Sequence, residues 1–103
     1  MAAQTLVMYP MPDDPEQFDK YYTEVHTPIA LKIPGLTKLE VSKGGTTSPN
    51  GDSPWYLIAE LNYDSMAALQ AAMGSPEAAA AVADLANFAP EGTQVFIFET
   101  ETK

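Results

Sequence analysis

Hydrophobic and polar positions along the chain follow two different repeats. Runs rich in β-branched, aliphatic and aromatic residues predict four strands, at Gln4 to Tyr9, Leu36 to Lys43, Trp55 to Tyr63 and Thr93 to Thr100. Between the two middle strands, the glycine-rich segment Gly44 to Ser53 contains an Asn-Gly pair and predicts a long hairpin loop. The remaining segments carry helical signals.

The first helix is predicted to begin at Asp13-Asp14-Pro15-Glu16, where an aspartate can cap free amides and the proline suits the first turn. One buried face is predicted by side chains at steps of three and four: Phe18, Tyr22, His26, Ile29 and Ile33. Pro28 removes an amide and crowds the carbonyl of Glu24. We therefore expect a kink or break just after His26.

The second helical segment is predicted as two helices. Asp64-Ser65 caps the first of them, Gly74 ends it, and Ser75-Pro76-Glu77 starts the next. The expected inward residues are Met66, Leu69 and Met73 in the first, and Ala78, Val82, Leu85 and Ala89 in the second.

The order β-α-β-β-α-β predicts an α+β, ferredoxin-like fold: a four-stranded antiparallel sheet with helices on one face. At 103 residues the chain is too short for two cores, so we expect a single domain over residues 1–103.

The strands are apolar on both faces, although helices can cover only one. Val95 and Ile97 oppose Phe96 and Phe98. In the third strand, Trp55 and Leu57 are expected on one face, with Tyr56 and Ile58 on the other. An exposed apolar face of this size is unusual in a monomer. We therefore expect a homodimer that packs sheet against sheet; the alternative is a monomer whose second face is a ligand groove.

Charge and residue content exclude several kinds of binding partner and chemistry. The formal net charge of −9 disfavours nucleic acid and anionic membranes. The chain has no cysteine, which excludes disulfides and thiolate chemistry. The first residues lack a basic start followed by a long apolar run, and no stretch is long enough to span a bilayer, so we expect a cytoplasmic protein.

Five blocks of the sequence are together similar to the EthD family: Phe18 to Tyr22, Glu24 to Pro28, Ile33 to Leu36, Tyr63 to Met66 and Ala83 to Phe88. The resemblance runs from about Tyr9 to Phe98. It implies a dimeric α/β barrel, in agreement with the strand pattern. The family takes its name from a gene cluster for breakdown of ethyl tert-butyl ether. Wider relatives include cofactor-free monooxygenases, isomerases, cyclases and dehydratases, so the resemblance implies function only at the level of fold.

His26 is the single histidine and lies on the predicted inward face, where an imidazole suits proton transfer near neutral pH. The alternative is a packed histidine that bonds the carbonyls freed by Pro28. Tyr22, one turn earlier, is a candidate to donate to a substrate oxygen, or a core aromatic. Asp84 is a candidate partner that orients His26, or a solvent-facing aspartate.

The candidate substrate-binding residues are aromatic and aliphatic: Tyr9, Trp55, Phe18, Ile29 and Phe88. One histidine and no cysteine predict no metal site, and we expect no cofactor. Two functions remain open. The first is a cofactor-independent enzyme that acts on a small apolar oxygenated or aromatic compound, with His26 as general acid/base. The second is a non-catalytic protein that binds a hydrophobic metabolite or assists an oxygenase pathway.

Overall fold

The structure, a computed structural model, describes residues 1–103 and contains one main sheet, a small hairpin and a layer of helices. Its elements in chain order are β1 (Ala3–Pro10), α1 (Pro15–Tyr21), a π-helical segment (Tyr22–His26), α2 (Thr27–Ala30), β2 (Leu36–Val41), β3 (Thr47–Ser48), β4 (Gly51–Asp52), β5 (Trp55–Tyr63), α3 (Met66–Met73), α4 (Pro76–Phe88) and β6 (Gln94–Glu99).

The main sheet has the strand order β2-β5-β1-β6, and all neighbours are antiparallel. This confirms the predicted α+β, ferredoxin-like arrangement. Val7 in β1 lies opposite Ala59 of β5 and Val95 of β6, which places all three side chains on the face that the helices cover. The predicted hairpin loop is also confirmed, and β3 pairs with β4 near its tip.

Serine and aspartate caps fix the helix starts as predicted. Asp14 accepts a hydrogen bond from the amide of Gln17, Ser65 from that of Ala68, and Ser75 from that of Ala78. Each cap satisfies an amide that would otherwise have no partner in the first helical turn.

The helix does not break after His26, which was one of the two expected outcomes. The helix instead widens before Pro28: the amide of Thr27 donates to the carbonyl of Tyr22, five residues back. The hydroxyl of Thr27 donates to the same carbonyl over 2.8 Å. The wider turn accommodates the proline, and the amide of Leu31 then bonds the carbonyl of Thr27 at 2.9 Å.

A shift of register in the sheet corrects a second expectation. Tyr9 lies opposite Leu57 and Pro10 opposite Trp55, so Tyr56 is an extra residue in β5. Its ring contacts Phe18 edge-on, with 5.6 Å between centroids. Tyr56 therefore faces the helices, whereas it was expected on the opposite face.

The buried face of α4 also differs from the prediction. Ala78, Ala81 and Asp84 are buried, and Val82 is 54% exposed. α4 comes closest to α2, α3 and the π-helical segment, and its Leu85 and Phe88 pack on the core cluster that includes Val7 and Tyr9 of β1. Its inward face is consequently rotated towards the other helices.

The side of the sheet that carries no helices is called the uncovered face below. Its apolar residues are Leu6, Met8, Ile58, Phe96 and Phe98. Phe96 and Phe98 are 47% and 38% exposed. Towards β2 the same face becomes polar, with an ion pair of 3.2 Å between Lys38 and Glu40.

Candidate active site

An imidazole and a carboxylate meet between two helices. His26 ends the π-helical segment, and Asp84 lies 58 residues later in the middle of α4. Nδ1 of His26 is 2.9 Å from Oδ2 of Asp84, and each residue is only 6% exposed. The carboxylate partner, rather than a carbonyl freed by Pro28, therefore sets the orientation of the ring, and Asp84 does not face solvent.

Two more side chains donate to Asp84. The Tyr21 hydroxyl lies 2.6 Å from Oδ1, and Nδ2 of Asn87 lies 2.9 Å from the same atom. Burial alone raises the pKa of Asp84, but the hydrogen bonds from Tyr21, Asn87 and His26 outweigh it and lower the pKa below its usual value. Asp84 is therefore ionised at neutral pH.

An ionised carboxylate can only accept hydrogen bonds, so Nδ1 of His26 must carry the hydrogen that lies between them. In the neutral ring, Nε2 then carries the lone pair. No side chain of the protein bonds Nε2. The hydrogen bond to Asp84 likewise raises the pKa of Tyr21, which keeps that phenol a donor.

Tyr21 and Asn87 did not emerge from the sequence analysis as site residues. Tyr21 lies off the inward face of α1, and Asn87 is a polar residue one turn after Asp84. Both fall inside the blocks that resemble the family, Phe18 to Tyr22 and Ala83 to Phe88. Their position inside these blocks was the one feature of the sequence that could have indicated a role for them in the site.

A cavity of about 270 Å³ lies between the sheet and the helices, and His26 is part of its wall. Of its 17 lining residues 15 are hydrophobic, and the two others are Thr5 and His26. The space exists because small side chains meet at the centre of the domain: Ala30, Ala59, Ala78 and Ala81. An apolar wall with one imidazole suits a mostly apolar small molecule.

Aromatic rings surround the imidazole. The Phe88 ring lies 4.7 Å from the His26 ring and the Tyr22 ring 5.4 Å from it, between centroids. Burial raises the pKa of Tyr22 to about 12, so its phenol keeps its proton at neutral pH. Burial, with the nearby Tyr22 and Asp84, also raises the pKa of Tyr9, on the same wall.

The structure brings together some of the predicted binding residues and separates others. Tyr9 lines the cavity, and Phe18 and Phe88 support it from behind by packing on Tyr9. Ile29 packs on the core and leaves its expected place in the wall to Ala30. Trp55 lies opposite Pro10 at the end of β5 and does not line the cavity.

The arrangement is suited to proton transfer. Nε2 of His26 can take a proton from a bound molecule and return it, and Asp84 stabilises the imidazolium that forms.

No group of three or more His, Cys, Asp or Glu side chains comes together in a way that could hold a metal ion. None of the helices has the length and apolar character needed to cross a membrane.

The fold and site define a small ferredoxin-like α+β protein with an imidazole–carboxylate pair at an internal apolar cavity. A family model described as the EthD domain matches residues 12–92. The chain belongs to the EthD family.

Two relatives are similar over almost the whole chain. An uncharacterized 11.0 kDa protein of the thcB-thcC intergenic region in Rhodococcus erythropolis is 34% identical over 96 residues, which cover 93% of this chain and 92% of that protein. The crystal structure of an ethyl tert-butyl ether D (EthD) family protein from Bacillus halodurans has a TM-score of 0.88 at 35% identity, and the match covers 98% of this chain and 100% of that one.

More distant structures share the fold alone. SnoaB, a cofactor-independent oxygenase from Streptomyces nogalater, has a TM-score of 0.67 at 10% identity, with coverage of 99% of this chain and 95% of SnoaB. A dimeric ferredoxin-like protein of unknown function from Jannaschia sp. has a TM-score of 0.68 at 18% identity, with coverage of 97% and 100%.

Proposed function

We propose that the protein is a cofactor-independent enzyme that acts on a small, mostly apolar oxygenated or aromatic compound, in a reaction of the monooxygenase, isomerase, cyclase or dehydratase type. His26 is the general acid/base, because its Nε2 has no bond within the protein and its ring lines the cavity. Asp84 orients the ring and balances the charge it gains. Tyr22, whose phenol stays protonated, is a donor to a substrate oxygen.

The buried contact between His26 and Asp84 carries this proposal. An imidazole whose one nitrogen is held by an ionised carboxylate while the other borders an apolar cavity is arranged for proton transfer. The distant likeness to SnoaB supports the idea that such a fold can act without a cofactor. Small ethers and the alcohols formed from them fall within the proposed class of compounds.

The test starts with mass spectrometry of metabolites that accompany the purified protein, which supplies candidate substrates. With a substrate in hand, His26→Gln is expected to lower kcat/KM by about 10²–10⁴, the usual contribution of a positioned acid or base. A second pair of variants tests the carboxylate. Asp84→Asn removes the charge beside His26, and the matched control, Asp19→Asn, makes the same change at an exposed carboxylate that bonds Tyr56. Turnover by His26→Gln at the parent rate would rule out the proposed role.

A second candidate function is favoured by the scarcity of polar groups in the cavity, where only Thr5, His26 and the tyrosine phenols add polar atoms to a hydrophobic wall. In this alternative the protein binds a hydrophobic metabolite, or assists an oxygenase pathway, without chemistry of its own. The expected result is saturable binding of the co-purified compound with no conversion. Accumulation of a product during long incubation, absent from His26→Gln, would exclude it.

We also propose that two copies pair through the uncovered face. The proposal is supported by the exposure of Phe96 and Phe98 there, beside Leu6, Met8 and Ile58. Burying such a surface against a copy of itself removes apolar area from water. The description of the Jannaschia protein as dimeric is consistent with this assembly.

A further inference from the structure

The cavity wall shows where a molecule would enter. Among the lining residues, three are exposed: Met73 at the end of α3, Val82 on α4 and Val95 on β6. Val82 is 54% and Val95 46% exposed, although both border the interior. Because these residues line the cavity and are also exposed to solvent, they mark its mouth, between α4 and β6.

This opening stays free in the proposed homodimer. Val95 and Phe96 are neighbours in a strand, so their side chains project to opposite faces of the sheet. Phe96 lies on the uncovered face, where the second copy packs, and Val95 lies on the face with the helices. The rim of the opening is entirely aliphatic or thioether in character, which suits passage of an apolar molecule.

The hydrogen-bond state of His26 defines what such a molecule must present. Nδ1 donates to Asp84, so the neutral ring offers a lone pair at Nε2. A neutral hydroxyl group can donate to that lone pair. A carboxylate cannot, and it would also lie near the negative charge of Asp84. No lysine or arginine lines the cavity to balance a second anion.

From these observations we infer that the cavity takes a neutral, apolar compound with a hydroxyl group, which enters between α4 and β6 past Val82 and Val95 and donates a hydrogen bond to Nε2 of His26. The volume of about 270 Å³ accommodates on the order of ten non-hydrogen atoms. A phenol or another small, mostly apolar alcohol belongs to this class. The inference rests on the proposed function, whose site it uses, but binding and turnover are separate measurements.

Three probes of similar size test the chemical class with the unmodified protein: p-cresol, p-xylene and benzoate. The first has a hydroxyl where the second has a methyl, and the third is an anion. Methyl NMR titration is expected to show saturable shifts of Val7, Ile33 and Leu39, which line the cavity, with p-cresol. Its dissociation constant should be at least about twofold and up to about tenfold below those of p-xylene and benzoate, since one hydrogen bond is worth a factor in that range. Equal binding of benzoate, or no preference for p-cresol over p-xylene, would overturn the inference.

The entrance is tested by Val82→Trp, with Val25→Trp as the matched control. Both valines are exposed on helical segments, but Val25 does not line the cavity. The indole at position 82 should slow exchange of p-cresol or weaken its binding by at least about fivefold, the lower end of the cost of overpacking. Exchange and affinity that are both unchanged in Val82→Trp would contradict this route.

The two proposals fail separately. If p-cresol stays out of the cavity while turnover of an identified substrate still depends on His26, the ligand class and route are wrong and the catalytic role stands. If p-cresol binds as described and His26→Gln turns over the substrate at the parent rate, the catalytic role is wrong and the ligand site stands.

Discussion

The two faces of the sheet use hydrophobic side chains in different ways. The covered face meets the helices through small residues such as Ala59, Ala78 and Ala81, and it leaves a cavity with one imidazole in its wall. The uncovered face carries large side chains, Phe96 and Phe98, on a strand exposed along its whole length. A concave apolar cavity suits a small molecule, whereas an open apolar surface suits another protein surface. On these proposals, one thin sheet separates the ligand site from the surface through which two copies pair.

The largest expected effect comes from charging the uncovered face. In the double variant Phe96→Asp/Phe98→Asp, four carboxylates would be buried at the homodimer interface, and the dissociation constant should rise at least about a hundredfold. Sedimentation at micromolar concentration should show twice 11.1 kDa for the parent and 11.1 kDa for the variant.

The control for that experiment is Val41→Asp, an exposed valine in β2 on the covered face. It introduces one carboxylate per chain, against two in the double variant, without touching the proposed interface, so the dimer should persist. A parent protein that sediments as a single chain would break the comparison, because the uncovered face would then need another explanation.

The next largest effect is expected from breaking the buried pair of His26 and Asp84, beside the covered face. Asp84→Ala leaves the Nδ1–H of His26 buried without a partner, which should lower the free energy of unfolding by about 1–3 kcal/mol. Tyr21 and Asn87 are less buried and regain water. Urea unfolding at neutral pH measures the loss. A variant as stable as the parent would show that the pair is not formed.

Asp84 also predicts a pH dependence. Its folded-state pKa is lowered, so its stabilising contribution is complete above the ordinary pKa of an aspartate, about 3.9, and is lost as the pH falls through the folded value. The parent should therefore lose more stability than Asp84→Asn when the pH is reduced below about 4. Parallel stability curves for the two proteins in that range would contradict the lowered pKa.

Much of the scaffold could be predicted because its signals are local. Asp14, Ser65 and Ser75 cap helices that begin next to them, and the loop around Gly51 follows from its own sequence. The four-stranded antiparallel sheet with helices on one face followed from connection rules. The inward position of His26 followed from spacing along a single helix.

The remaining features depend on how elements meet. Pro28 produced a wide turn instead of a break because the preceding helix could absorb one more residue per turn. The direction of Tyr56 depends on a register shift against β1. Whether Asp84 or Val82 faces inward depends on the rotation of α4 about its axis, which is set by helices distant in sequence. The sequence pattern therefore left the partner of His26 open.

A moderate effect is expected at Thr5, whose Oγ1 is the one fully buried side-chain polar atom without a hydrogen-bond partner. Thr5→Val keeps the shape and removes the hydroxyl, so the free energy of unfolding should rise by roughly 1–3 kcal/mol. Thr5→Ser keeps the hydroxyl and loses a methyl group, so it should be less stable than the parent. Destabilisation by valine would show that the hydroxyl has a partner in the folded protein.

The smallest expected effect is a change in the pKa of Asp84 when one of its hydrogen-bond donors is removed. Tyr21→Phe removes one of the three donors to Asp84, so the pKa of Asp84 should move up towards its ordinary value. Carboxyl-carbon NMR over an acid titration measures this directly. Tyr56→Phe is the matched control, because that phenol donates to Asp19 instead. An unchanged pKa of Asp84 in Tyr21→Phe would show that this hydrogen bond has little weight.

The proposal that Asp84 holds the Nδ1–H of His26 and leaves Nε2 free is tested by locating the ring hydrogen. Nitrogen-15 NMR of the ring, recorded at a pH where the ring is neutral, distinguishes a protonated from an unprotonated nitrogen. We predict that Nδ1 carries the hydrogen, which Asp84 accepts, and that Nε2 is unprotonated and its resonance shifts when p-cresol binds. A ring protonated at Nε2, with Nδ1 bare beside the carboxylate, would contradict this prediction.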